Sequence, residues 1–283
     1  MKIETVIKKF AGSEKLLRCP ICKSALTLKN SGSFICTHGH CFDLSSKGYV
    51  NFLTDNQGDS RYGKELFENR KAVFRAGFYE NIARATEELT TRFLPADKNT
   101  VLDAGCGDGY YSLRLAQTQA AKVYAVDNSK EAILSACKSV GDVRFMVADL
   151  ADLPVLSNTV GALINILTPA NYTEFARVLG TRGILIKAIP GENYLRELRE
   201  CVGAELLNKE YSNQRVIDRM KESTDIAEQK SIEYTLPVNA AELAAFYKMT
   251  PMTTRVDIHN ADLTRIKNIT IHMEIIAAFC RQI

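Results

Sequence analysis

Val101-Leu102-Asp103-Ala104-Gly105-Cys106-Gly107-Asp108-Gly109-Tyr110-Tyr111-Ser112 runs from an apolar strand through alternate glycines into the start of a helix. Gly105 and Gly107 carry no Cβ and tolerate positive φ, so main-chain N–H groups and the next helix N-terminus can face a ligand. A dinucleotide fingerprint requires glycine at the first, third and sixth positions, and the sixth position counted from Gly105 is Tyr110. NAD is therefore disfavoured, although a nucleotide-type cofactor still fits the strand–loop–helix pattern.

The spacing Asp103-x-Gly105-x-Gly107-x-Gly109 resembles the first motif of class I S-adenosylmethionine (SAM) methyltransferases. SAM carries an amino acid where a dinucleotide carries pyrophosphate, and a zwitterion calls for Asp103 as well as N–H donors. The next strand, Lys122 to Asp127, ends in an acid placed to grip ribose hydroxyls. A third strand, Arg144 to Leu150, brings Asp149 to the position where methyltransferases of this class often bind the adenine amine; capping of a following helix is its alternative role. Ala162 to Ile166 and Gly183 to Ile189 read as further strands, with Thr173 to Leu179 helical between them. Ile232 to Pro237, the helix Ala240 to Lys248 and Ile269 to Ile276 complete the pattern. The expected fold is α/β: a class I SAM-methyltransferase, Rossmann-like, with a mostly parallel seven-stranded sheet and right-handed crossovers.

Four of the eight cysteines lie within the first 41 residues. Cys19-Pro20-Ile21-Cys22 is a C-x2-C knuckle, and Cys36-Thr37-His38-Gly39-His40-Cys41 follows a short hairpin-like interval. Two such pairs close a tetrahedron around one structural zinc with no open coordination position. The fourth ligand stays open among His38, His40 and Cys41. A segment this short buries too little to fold alone, so zinc would contribute ~10 kcal/mol or more. Cys106, Cys137, Cys201 and Cys280 are scattered and expected to be reduced.

With 283 residues and 46% hydrophobic content, the chain can bury a sizeable core. No apolar run reaches the ~20 residues needed to span a bilayer, and the charged segment Met1 to Ala11 is not expected to be a signal peptide. A cytoplasmic protein with no membrane partner is the expectation. Residues 1–80 hold 13 Lys and Arg against 8 Asp and Glu, a net +5, while the remainder nets −2. Contact with a phosphate backbone fits that bias, as does an ordinary solvated surface. The organisation reads as a zinc-binding module over 1–53, a helical connector over 54–95 and a SAM-dependent methyltransferase domain over 96–283. Thr54 to Ser60 is a polar linker. In the connector, Lys64 to Ala76 reads as a helix with Leu66, Val73 and Phe74 inward and Arg70, Lys71 and Arg75 outward; Ile82 to Phe93 is a second helix.

Many enzymes that methylate exocyclic base amines place an Asn/Asp-Pro-Pro-aromatic tetrapeptide after the fourth strand. This chain has Asn165-Ile166-Leu167-Thr168-Pro169 instead, which argues for another target atom, such as a ring nitrogen. Asn165 and Thr168 are the candidate catalytic residues, with turn hydrogen bonding as their alternative role. Alignment with the sulfonium would supply most of the rate, and no proton acceptor is assigned.

In order, C-P-x-C, C-x3-H with Phe42-Asp43, Lys47-Gly48-Tyr49-Val50-Asn51, Gly58-Asp59-Ser60, Arg70 through Gly77-x-Tyr79, the glycine loop, Ala188-Ile189-Pro190-Gly191, Leu195-x-Glu197-Leu198 and Met249-Thr250-Pro251 closely resemble the RlmA-type 23S ribosomal RNA (guanine-N1-)-methyltransferases. The resemblance implies zinc ligation by Cys19, Cys22, Cys36 and His40. It implies SAM contacts from Tyr79, Tyr111, Ser112 and Asp127, and it places Tyr194 where the family commonly has a histidine near the cofactor. Tyrosine cannot titrate near neutral pH, so a proton-transfer role does not carry over. The family's tryptophan after Met-Thr-Pro is also missing, since the chain has none. The implied partner is 23S ribosomal RNA, in a hairpin loop near the peptide exit tunnel, with a homodimer as a further assembly to consider. A small-molecule methyltransferase and a non-catalytic RNA-binding or assembly protein with a retained SAM fold are the alternatives.

Overall fold

The computed structural model describes residues 2–54, 63–118, 121–202, 213–250 and 263–281. Most of the polar linker, with Gly58-Asp59-Ser60, and Pro251 lie outside them. The amphipathic helix α1 (Ile3–Phe10) buries Val6 and Phe10. Three short strands, β1 (Leu26–Leu28), β2 (Ser33–Cys36) and β3 (Cys41–Asp43), form an antiparallel sheet in that order. After them, β4 (Tyr49–Asn51) leaves the small sheet for a larger one.

Next come α2 (Lys64–Arg75) and α3 (Glu80–Phe93), then β5 (Thr100–Ala104), α4 (Tyr110–Thr118), β6 (Lys122–Asp127), α5 (Lys130–Ala136) and β7 (Val143–Val147). β8 (Ala162–Ile166), α6 (Tyr172–Leu179), β9 (Ile184–Pro190), α7 (Arg196–Val202) and α8 (Gln214–Ser223) continue the alternation, and β10 (Thr224–Pro237), α9 (Ala240–Met249) and β11 (Asn268–Cys280) finish it. Strand order is β10-β11-β9-β8-β5-β6-β7-β4, with β11 antiparallel to both its neighbours and the other pairs parallel. Every residue of β7 and β8 is buried, as expected where helices or loops cover both faces of a parallel sheet. Asn171 caps α6, and Asn239 with Glu242 forms a capping box on α9, so two helix starts satisfy their own orphan N–H groups.

The sheet has eight strands rather than the expected seven. The additional one is β4, whose three residues pair with Phe145 to Val147. Phe52 extends the attachment by donating its N–H to the Val147 carbonyl at 2.8 Å. Phe10, Phe34, Phe42 and Phe52 then pack in one apolar cluster with Leu102, Tyr124 and Met146 of the large sheet. Arg18 adds an ion pair to Asp152 at 2.8 Å, and Ser13 Oγ bonds Tyr124 OH at 2.8 Å. Each fully buried aromatic contributes roughly 1.5–3 kcal/mol, so this seam outweighs any one polar contact across it. Residues 1–53 therefore share a core with the methyltransferase sheet instead of standing apart from it.

Candidate functional site

A cavity of about 660 Å³ opens at the carboxyl ends of the parallel strands, where open α/β sheets hold their ligands. Gly105, with φ +85°, forms its floor; a Cβ there would lie 2.3 Å from Thr168 Cγ2. Gly107 follows with φ +55°, and its N–H donates to Asp127 Oδ2 at 2.8 Å. Asp127 Oδ1 accepts from the Ser129 N–H at 2.9 Å, so β6 delivers a carboxylate fixed by two backbone donors. Burial pushes its pKa upward, against those hydrogen bonds.

Asp149 also lines the cavity; its Oδ1 accepts from the Ala151 N–H at 2.8 Å, closing a turn rather than capping a helix. Tyr79 and Tyr194 complete one wall, their hydroxyls 2.5 Å apart. Burial holds the Tyr79 phenol well above its ordinary pKa, which leaves it a neutral hydrogen-bonding group. Six of the nine expected cofactor residues thus meet in one cavity: Tyr79, Gly105, Gly107, Asp127, Asp149 and Tyr194.

Asp103, Tyr111 and Ser112 sit behind the glycine loop, outside the cavity lining. Ser112 Oγ donates to Asp103 Oδ2, and burial pushes the Asp103 carboxyl up to about 7. Tyr111 packs edge-on to Phe74, and its buried hydroxyl has no partner among the described residues. Asn165 is fully buried: its Nδ2 donates to the Ala104 carbonyl at 2.8 Å and its Oδ1 accepts from Lys187 Nζ. Only Thr168 of the two candidate catalytic residues reaches the cavity.

Sequence reasoning missed two residues here. Lys187 is a charge in the middle of the apolar strand β9; it donates to the Thr168 carbonyl at 2.7 Å and so fixes the turn after β8, where Leu167 has φ +55°. Burial lowers its pKa to about 8. Arg70, expected on the outside of α2, lines the cavity instead. Its spacing from Phe67 and Phe74, three and four positions, was the available signal, because those three residues share one helix face.

The second site lies in the N-terminal sheet. Cys19, Cys22, Cys36 and His40 place their ligand atoms within 4.8 Å of one another. Cys22 Sγ is 3.6 Å from Cys36 Sγ, and His40 Nδ1 is 3.3 Å from Cys36 Sγ and 3.5 Å from Cys19 Sγ. A tetrahedron with ~2.3 Å metal–sulfur bonds has edges of about 3.8 Å, so these four atoms fit zinc. His38 turns to Thr37 and Cys41 to Asp43, which removes both from the choice of fourth ligand. Hydrogen bonding to Ser24 draws the Cys22 thiol down to about 5, favouring the thiolate that zinc requires.

Two family profiles match the chain: a methyltransferase domain over residues 101–183 and the RlmA N-terminal zinc ribbon over residues 17–61. The Bacillus subtilis (strain 168) protein named "Putative 23S rRNA (guanine-N(1)-)-methyltransferase YxjB" is 35% identical over 244 residues, spanning 84% of this chain and 86% of that one. The chain belongs to the RlmA-type methyltransferase family. The 23S rRNA (guanine(748)-N(1))-methyltransferase of Streptomyces fradiae is 26% identical, over 86% of this chain and 87% of its own. A chain from the solved complex of the Haloferax volcanii Trm112 methyltransferase activator shares the fold, with a TM-score of 0.51 at 16% identity over 79% of this chain and all of its own. This RlmA-type protein is a methyltransferase with SAM as its cofactor and a structural zinc in its ribbon. Among the described residues, no helix is long and apolar enough to cross a membrane.

Proposed function

We propose that this chain transfers a methyl group from SAM to N1 of a guanine in a 23S ribosomal RNA hairpin loop near the peptide exit tunnel, in the cytoplasm. The commitment of Asn165 carries the choice of target atom. Its amide is buried and already bonded to Ala104 and Lys187, so it cannot accept the hydrogens of an exocyclic amine. A ring nitrogen needs no such acceptor pair, and guanine N1 is the atom in the names of the curated relatives.

When bound, SAM supplies an electrophilic methyl on its sulfonium. Asp127 would accept hydrogen bonds from the ribose hydroxyls and Asp149 from the adenine amine, and the Tyr79–Tyr194 pair, which uses one phenol proton in its mutual bond, would donate the other to the cofactor's polar end. Gly105 and Gly107 would let the loop backbone approach, with Asp103, Tyr111 and Ser112 fixing that loop from behind. Cys19, Cys22, Cys36 and His40 would hold the zinc. Thr168 and Leu167 border the space left for the base, which must leave its paired stack to enter. Orientation in the cavity would provide most of the acceleration, with the N1 proton passing to water. The basic N-terminal region would hold flanking phosphates, so binding should weaken steeply with added salt.

Incubating the zinc-loaded protein with 23S RNA and labelled SAM should yield 1-methylguanosine on nucleoside digestion. Label in an exocyclic methylamine, or only in small molecules from an extract, would refute this reading.

A further inference from the structure

We infer that Arg70 is the anion subsite of the cofactor cavity and binds the α-carboxylate at the amino-acid end of SAM. The inference rests on the cofactor assignment above and extends it to a residue on α2. Phe67, Arg70 and Phe74 share one face of that helix, and the guanidinium carbon stands 5.3 Å from the Phe74 ring centroid. Its Nη1 lies 3.3 Å from where a Cβ on Gly107 would be, so the group covers the second glycine of the loop. Any side chain at Gly107 would crowd it.

Arg70 is half-buried and lines the cavity. Yet it makes no hydrogen bond or ion pair among the described residues. Asp108 and the phenols of Tyr111, Tyr79 and Tyr194 are the polar groups around it; burial works against its charge, and Asp108 leads the groups that outweigh burial and leave its pKa raised. Asp108 Oδ1 is itself buried without a hydrogen-bond partner, so the two groups attract without bonding. A half-buried guanidinium that turns its donors to a cavity and bonds none of them there gains most from a ligand that completes it.

The charges of the cavity indicate which ligand atoms do so. Asp127 and Asp149 are its carboxylates, and Arg70 is its one cationic side chain among the described residues. SAM brings an ammonium, a sulfonium and a single anionic group, the carboxylate. A planar guanidinium pairs with a carboxylate through two parallel N–H···O bonds, a geometry that neither a phenol nor a threonine hydroxyl offers.

Calorimetry on the full-length zinc-loaded protein tests this, using SAM and decarboxylated SAM, which keeps the sulfonium and ammonium but lacks the carboxylate. For the wild type, SAM should bind 10- to 100-fold more tightly than its decarboxylated form. Arg70→Met should weaken SAM by that factor and change decarboxylated SAM less than about twofold; Arg70→Lys should fall between. Equal weakening of both ligands would make Arg70 a structural residue and overturn the assignment, as would unchanged SAM affinity in a variant that melts like the wild type. Failure of the wild type to bind either ligand would instead refute the cofactor reading beneath it.

Discussion

The candidate zinc ligands come from residues 19–40, whereas the cavity proposed for the cofactor draws its walls from Leu66 to Thr250. In the first region, two turns bring the ligand atoms together, so spacing narrows the set to Cys19, Cys22, Cys36 and one of His38, His40 and Cys41. In the second, each wall depends on where a distant helix or turn lands on the sheet. Local chemistry is therefore readable residue by residue, and assembled chemistry only where a motif marks it. The N-terminal region nevertheless shares a core with the large sheet through Phe34, Phe42, Phe52, Tyr124 and Met146, so a change at the metal reaches the sheet, while Phe74, Tyr79 and Tyr194 of the cavity pack in the other core.

Loss of zinc should give the largest effect. Cys22→Ser, or chelation, should cost several kcal/mol of folding stability and lower the melting temperature of the whole chain, because β4 and Phe52, which follow the ribbon directly, join it to β7 of the large sheet. Differential scanning calorimetry on metal-free protein checks this. A cavity-side transition unchanged by zinc removal would break the shared-core account and return residues 1–53 to an independent module.

Asp103 offers the next largest effect, through pH. Its folded pKa of about 7 stands above the unfolded value of 3.8, so the folded state holds an extra proton between them. Its contribution to stability is complete below pH 3.8 and is lost as pH rises through about 7. Each pKa unit is about 1.4 kcal/mol, which caps the effect at roughly 4 kcal/mol. Denaturation of wild type and Asp103→Asn between pH 5 and 8 should show the wild type losing ground as pH rises; parallel curves would remove the buried ionisation from the account.

Gly105→Ala sharpens the contrast further. Its Cβ would fall 2.3 Å from Thr168, at a φ of +85° that alanine resists, so SAM affinity should drop at least 100-fold, about 2.7 kcal/mol, with zinc content unchanged. Asp127→Ala should cost less, about 1–2 kcal/mol of SAM binding in a folded protein, as one charged hydrogen-bonding group is lost. Calorimetry reads both; undiminished affinity in either variant would take the cofactor away from this loop.

Much of this was legible before the structure. Cys19, Cys22 and Cys36, the glycine loop, Asp127 and the strands β5 to β9 announce themselves by spacing and apolar runs, and the family resemblance adds His40. β4 did not, because Tyr49-Val50-Asn51 is too short to carry a strand period, and its partner lies nearly a hundred residues away. Arg70 was hidden by its charge, which suggests an outer face although its helical spacing matches Phe67 and Phe74. Thr168 above Gly105 and Lys187 beneath the same turn depend on the β5–β8–β9 order, which only the assembled sheet reveals. Motif resemblance singled out Tyr79 and Tyr194, which line one wall of the cavity, but could not show that Asp103, Tyr111 and Ser112 stand behind the loop.

The central claim is that this zinc-ribbon methyltransferase marks one guanine of 23S RNA at N1. Mapping base modifications across 23S RNA from cells carrying the gene, cells lacking it, and cells expressing Asp127→Ala tests it most directly. A single 1-methylguanosine present in the first and absent or strongly reduced in the other two is the predicted result; identical 23S maps in all three would contradict it.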